Sequence, residues 1–441
     1  MDRRHFILGA SAAFFSNYAS AGSLSGLSLW PERGFFNPCL SAIPDHLLHH
    51  PVVRAAWEGV DAEQMWDCHV HLVGVGNGGT GIWVNPKMDS LLHPTLYLQK
   101  KFYLNASCTT DAVGRVDAAY LERLIHLLQT MQPNATAKKH GRLILFAFDW
   151  HHSEDGARRE DLSTFHVPNQ AARDAARKYP QHFEWVASIH PYRVDALPAL
   201  KAAINDGAVA MKWLPAAMGM DPDSPKCDEY FAMMAKHNLS LIVHAGEEKA
   251  VQGAGFQHLG NPLRLRRALN AGVRVVVAHC ASHGTDLDLD HPQQPVVESF
   301  DLFERMMAEP KYHGRLFGEI SAITQINRMH ILPRILAHSD WHNRLLHGSD
   351  YPLVGVMPLF SVQKFAEQGL LDEAAAPVIQ ALRDYNPLLF DFVLKRHLRV
   401  QTLDKKTSEG KILPRVKKFP ASIFATRTFF SRTPHNITAT Q

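Results

Sequence analysis

Apolar runs of five to eight residues alternate along the chain with longer stretches whose apolar residues recur every three or four positions. The short runs read as strands buried on both faces, and the longer ones as amphipathic helices that cover them. Eight strand runs stand out: Met65–His71, Arg142–Phe148, Phe183–His190, Ala208–Trp213, Leu239–His244, Val273–His279, Leu316–Ile320 and Leu345–Ser349. Helical patterns fall between them at Ala118–Met131, Gln170–Tyr179, Ala196–Asp206, Asp228–His237, Pro262–Ala271, Val296–Glu309 and Arg328–Ala337. Strands joined by helical crossovers in this order predict an α/β fold, a (β/α)8 TIM barrel spanning 65–398.

Irregular pieces interrupt and flank the pattern. A long insertion after the first strand, Leu72–Arg115, is rich in Gly, Asn, Ser and Thr and also carries Trp83, Tyr97, Phe102 and Tyr103. Such an insertion leaves the face that carries active sites in barrels, so its aromatic residues are candidates for part of a substrate lid, with packing against the barrel the expected role of most of them. An N-terminal extension, 22–64, ends in a short helical run from Pro51 to Gln64, and a basic tail, 399–441, follows the last helical pattern.

Composition narrows the classes. Apolar residues make up 46% and charged residues 20% of 441, values of an ordinary folded protein. The net charge of +3 is small and its basic residues are scattered, which argues against a nucleic-acid partner and for a small-molecule substrate. The five cysteines, Cys39, Cys68, Cys108, Cys227 and Cys280, show no regular spacing, so no disulfide framework is expected. The start is distinct: Arg3-Arg4 precede a modest apolar stretch ending at Ala19-Ser20-Ala21. This pattern predicts a twin-arginine export signal over 1–21, a periplasmic or exported mature protein, and no stable membrane span once the signal is removed. Oligomeric state is not encoded in any pattern here.

The strand ends carry the chemistry. Alternation places Asp67, His69 and His71 on one side of the first strand. The same period gives Ala208, Ala210 and Lys212; Ser240, Ile242 and His244; Val275, Val277 and His279; and Leu346, Gly348 and Asp350. In each set an ionisable group follows small or apolar residues. Burying such groups unpaired costs several kcal/mol each, on the order seen for polar burial, and a shared metal ion offsets that cost. Neutral imidazoles with a carboxylate suit zinc first, with manganese, iron or cobalt also accommodated.

Asp67-Cys68-His69-Val70-His71, Lys212-Trp213-Leu214-Pro215, Val243-His244-Ala245-Gly246, Ala278-His279-Cys280 and Gly348-Ser349-Asp350-Tyr351-Pro352 together resemble the amidohydrolase superfamily, in particular its amidohydrolase-related branch. The resemblance spans Met65 to Pro352. It implies a divalent metal held by His69, His71, His244 and Asp350, with His279 as a further ligand or a hydrogen-bonding electrophile. The Lys212 segment is similar to that of members whose carboxylated lysine bridges two metals; otherwise Lys212 is an ammonium that pairs with Asp350 or binds an anionic substrate.

The expected reaction is hydrolysis of an amide, ester or lactone, with Asp350 taking a proton from a water made acidic by the metal and His279 stabilising the oxyanion. A nonoxidative decarboxylase of an aromatic or unsaturated acid is the alternative, and a noncatalytic periplasmic ligand-binding barrel the third. Arg193, Trp213, Glu247 and Gln325 are the substrate-binding candidates, because they follow strand ends where barrel enzymes touch substrate. His151, His152, His190, Asp149 and Asn327 lie in similar segments.

Overall fold

Eight parallel strands form where the sequence pattern places them, with shorter ends: β1 (Trp66–His71), β2 (Arg142–Phe146), β3 (Phe183–Val186), β4 (Ala210–Trp213), β5 (Ser240–His244), β6 (Val275–Ala278), β7 (Leu316–Glu319) and β8 (Leu345–Leu346). The computed structural model describes residues 34–133, 140–251, 253, 255–403 and 414–431. The expected export signal lies outside them. Strands β1, β2 and β3 pair in one sheet, and β4 to β8 in another.

Backbone hydrogen bonds join the two sheets at both seams. Between β3 and β4, the Val209 N–H donates to the Trp185 carbonyl at 3.0 Å and the Lys212 N–H to the Ala187 carbonyl at 2.7 Å. Between β8 and β1, the Cys68 N–H donates to the His347 carbonyl at 3.0 Å, the Asp350 N–H to that of His69 at 2.9 Å, and the His71 N–H to that of Tyr351 at 2.9 Å. The fold is a TIM barrel. Its interior is filled by Trp66, Ile144, Val186, Ile242, Val276 and Leu346, among others.

Helices cover the outside because their apolar residues recur at helical spacing. In Val116–Gln129, Tyr120, Leu124, Leu127 and Leu128 are buried on one face. Helix Pro387–His397 shows why a helix starts and stops where it does. The Asn386 side chain accepts the Leu389 N–H, proline occupies the first turn, and Lys395, Arg396 and His397 face the C-terminal dipole.

Several expectations are corrected. The Leu72–Arg115 insertion contains a thirteen-residue helix, Pro94–Ala106, and a short strand, Trp83–Val84, paired antiparallel with Phe165–His166. Val296–Glu309 is not one helix: Val296–Glu298 pairs as a strand with Thr285–Leu287, and the helix is Ser299–Ala308. The cysteines include one disulfide, Cys39–Cys108, across a sequence separation of 69 that no local pattern reveals. It ties the N-terminal extension to the end of the insertion helix, beside hydrogen bonds between Asn37 and Asn105.

The basic tail is also built in. Arg399–Leu403 pairs with Pro414–Lys418, and beyond that hairpin Phe419, Ile423, Phe424 and Phe430 are buried. Phe430 belongs to the barrel's interior cluster with Trp66 and Phe317, so the tail stoppers the end of the barrel opposite the strand C-termini.

Candidate metal and substrate site

Alternation fails on β1 and β6, and Ala208, expected to face inward, joins the outer core just before β4; the first two failures shape the site. In β1 the pairing register shifts between Asp67 and Val70. Trp66 and Cys68 therefore face the interior, and the Asp67 carboxylate, expected to share a face with the histidines, instead accepts the N–H groups of His69 at 3.1 Å and Ser349 at 2.9 Å. Burial raises its pKa to about 6. On β6, Val276 faces inward, while Val275 and Val277, the expected inward pair, join the outer core. His279 reaches the interior through a turn in which His279, Cys280 and Ala281 all have positive φ.

His69, His71 and Asp350 converge. The two Nε2 atoms lie 3.2 Å apart, and Asp350 Oδ1 is 3.1 Å from His71 Nε2 and 3.4 Å from His69 Nε2. Donors sharing a tetrahedral zinc ion at roughly 2.0–2.2 Å lie about 3.3 Å from one another, so this set fits a divalent ion. Proton positions agree. His69 Nδ1 is 2.9 Å from Glu319 Oε1, a contact that puts the proton on Nδ1 and leaves the Nε2 lone pair for a metal. Burial, with Lys212 nearby, holds the His69 pKa well below its ordinary value, so its imidazole is neutral.

His69, His279 and Glu319 form a second group of donors at metal-binding spacing. There Glu319 Oε1 is already engaged by His69, the His279 N–H at 2.8 Å and the Ser321 hydroxyl at 2.8 Å, so it acts as a holder of ligands. His279 Nδ1 donates to the Ser321 carbonyl at 3.1 Å, which leaves its Nε2 as a lone pair too. Its ring centroid lies 5.0 Å from that of His69 and 5.5 Å from that of His244. Burial depresses the pKa of both His244 and His279.

Lys212, His244, Glu247 and Gln325 line the same cavity of about 710 Å³ as His69, His71, His279 and Asp350. Lys212 is 1% exposed, with its ammonium 4.9 Å from the Phe146 ring centroid. Burial lowers its pKa from 10.5 to about 8, against the opposing pull of Glu319. A lysine depressed in the fold contributes its stability above its ordinary value and loses it as pH falls through the folded one. Lys212→Met in metal-free protein is therefore expected to raise stability at neutral pH, by up to about 3 kcal/mol. The advantage shrinks between about 8 and 10.5. Melting curves across that window check it; a difference independent of pH contradicts it.

Arg193 and Trp213 stand apart from the cavity, which corrects the expectation that they contact substrate. Arg193 is held by Asp149 at 2.8 Å and Asp195 at 2.7 Å. Trp213 is fully buried on the outer face of β4, donating to the Ile189 carbonyl at 3.0 Å. His151, His152 and His190 likewise bond backbone carbonyls outside it. Asn327 does line it.

Several residues escaped sequence reasoning, among them Glu248, 3.3 Å from His244 Nδ1, and His283, both buried in the cavity lining. Glu319 shares β7's inward parity with Phe317, so the period that singles out Lys212 also finds it, but Ile320 hides it from the strand end. Arg328 lines the cavity, 7% exposed, with Nη1 3.3 Å from the Ser282 hydroxyl. The pattern assigns it to a helix, whereas it ends the 3-10 turn Ile326–Arg328 and the helix starts at Leu332.

Fold and site together define a TIM-barrel protein with donors for a divalent metal at the C-terminal face of its strands. The chain belongs to the Amidohydrolase family, whose profile matches residues 66–375. Among solved structures it is similar to an uncharacterized TIM-barrel protein from Bordetella bronchiseptica, at 13% identity over 69% of this chain and 90% of that one, TM-score 0.42. A putative 2-pyrone-4,6-dicarboxylic acid hydrolase from Pseudomonas putida is 15% identical over 74% and 97%, TM-score 0.38. A 2,6-dihydroxybenzoate decarboxylase from Rhizobium is 12% identical over 74% and 97%, TM-score 0.37. Comparison with curated proteins gives no match. Among the described residues, no helix is long and apolar enough to cross a membrane.

Proposed function

We propose that this protein is a metal-dependent hydrolase that adds water to the carbonyl of an amide, ester or lactone in a small molecule. The observation that carries the reading is the Asp350 carboxylate, 3.1 Å from His71 and 3.4 Å from His69, opening on a cavity of about 710 Å³. His69, His71 and Asp350 would hold the ion, with His279 and His244 beside it. A zinc or similar ion supplies Lewis acidity there, acidifying water and polarising a carbonyl. A second ion would need a carboxylated Lys212.

Asp350 accepts the proton of the attacking water and returns it to the leaving nitrogen or oxygen. The protonation of His279 at Nδ1 favours a ligand role over oxyanion donation. Arg328, a cation lining the same cavity, would then stabilise the negative charge that develops on the carbonyl oxygen. Turnover in water enriched in heavy oxygen is expected to place one labelled atom in the product acid.

Arg328 also supports the second reading, a nonoxidative decarboxylase, because a buried guanidinium suits a substrate carboxylate. Carbon dioxide release with no label in the remaining product would replace hydrolysis with that reaction. Export to an oxidising compartment is part of the proposal, supported by the Cys39–Cys108 disulfide. Replacing Arg3 and Arg4 with lysine is expected to retain the protein in the cytoplasm on fractionation; unchanged export contradicts it.

A further inference from the structure

A second cavity, of about 390 Å³, adjoins the first and shares Val73, Tyr103 and Phe165 with it. It starts at Leu72, directly after His71, where the insertion leaves β1. Its walls are apolar almost throughout. Val73, Val75, Val84, Leu104 and Phe165 are all only partly buried around it, although nothing in their chemistry favours water. Lys100 is the one charged residue in its lining, and that ammonium is engaged by Asp89 at 2.7 Å, so the aliphatic stem is what it offers. The Tyr103 hydroxyl donates to the Ala250 carbonyl. Water in such a space finds few partners, whereas an apolar chain gains burial.

We propose that this annex receives an apolar arm of the substrate, and that the protein acts on small amphiphiles whose reacting group sits beside an acyl or alkyl chain. The inference rests on the placement of the reaction at His69, His71 and Asp350. The reacting carbonyl stays at the polar cluster, and the chain crosses the edge made by Val73, Tyr103 and Phe165. The insertion thus sets chain-length preference, while the barrel supplies the chemistry.

Straight-chain carboxylates from acetate to decanoate, titrated by calorimetry into zinc-loaded protein, test this without turnover. Affinity is expected to climb about fourfold per methylene until the annex is full and then level off. Val84→Phe and Leu104→Phe fill it from two walls, and each is expected to flatten the climb. Crystals with a terminally brominated decanoate locate the chain whether or not either variant folds; anomalous signal beside Ile82 and Met88 supports the proposal. A flat series in the unmodified protein, a climb that both folded variants keep, or bromine elsewhere overturns it. Length-dependent binding without turnover of any ester, lactone or amide would leave the annex standing and remove hydrolysis; turnover with a flat series does the reverse.

Discussion

Asp350→Asn is expected to leave the fold intact and to cut hydrolytic turnover by about 10²- to 10⁴-fold, the usual contribution of a positioned acid or base. The substitution is clean for a backbone reason. Asp350 sits at φ 64, a left-handed conformation that asparagine tolerates and most other side chains resist. Its N–H still donates to the His69 carbonyl at 2.9 Å and its carbonyl still accepts the Leu353 N–H at 2.8 Å. What is lost is the anionic oxygen, which is both the proton acceptor and one of the proposed metal ligands. Metal content, thermal melting and turnover measured together separate the effects, and full turnover in a variant that keeps its metal removes Asp350 from the chemistry. Replacing His69 and His71 together with alanine should abolish metal binding as well.

The second large effect lies at the far end of the barrel. Phe430→Ala is expected to cost about 3–5 kcal/mol, a large part of the roughly 5–15 kcal/mol by which proteins are stable. Phe430 is 2% exposed and fills the bottom of the interior with Trp66 and Phe317. Its ring centroid lies 4.8 Å from that of Phe429, which meets Phe317 edge-on at the same distance. Alanine would leave a cavity whose walls, the strands of a closed barrel, cannot collapse inward. Denaturant midpoints check the loss, while turnover at low temperature should persist because the stopper is remote from Asp350. A change within about 0.5 kcal/mol, typical of surface substitutions, would show the tail to be dispensable.

A buried pair lies behind the site. Lys395 donates to the Gly348 carbonyl at 2.7 Å and to Asp391 at 2.5 Å, both side chains almost wholly buried. It anchors the segment between β8 and Asp350 to the last long helix. Gly348 has no room for a side chain, since a Cβ there would lie 2.8 Å from His69 Cβ and 2.9 Å from Glu319 Oε2. The segment after β8 can pass so close to β1 because of that glycine.

The barrel itself was legible. Strands buried on both faces leave apolar runs, and the helices that cover them leave three- and four-residue spacing, so all eight strands could be read from local pattern alone. The identity of the polar cluster was legible for the same reason: a histidine, lysine or aspartate ending an apolar run is conspicuous against the carbon that fills the rest of the strand. Other features depend on contacts between distant segments. The register shift in β1 and the positive-φ turn after β6 decide which side chains face inward, and neither leaves a periodic trace. Nor could local pattern join Cys39 to Cys108, put Arg328 into the cavity while leaving Arg193 and Trp213 outside, or fold a basic tail under the barrel. Periodicity records how a segment sits against its own layer; which segments then meet is settled by closure of the barrel and packing at its two ends.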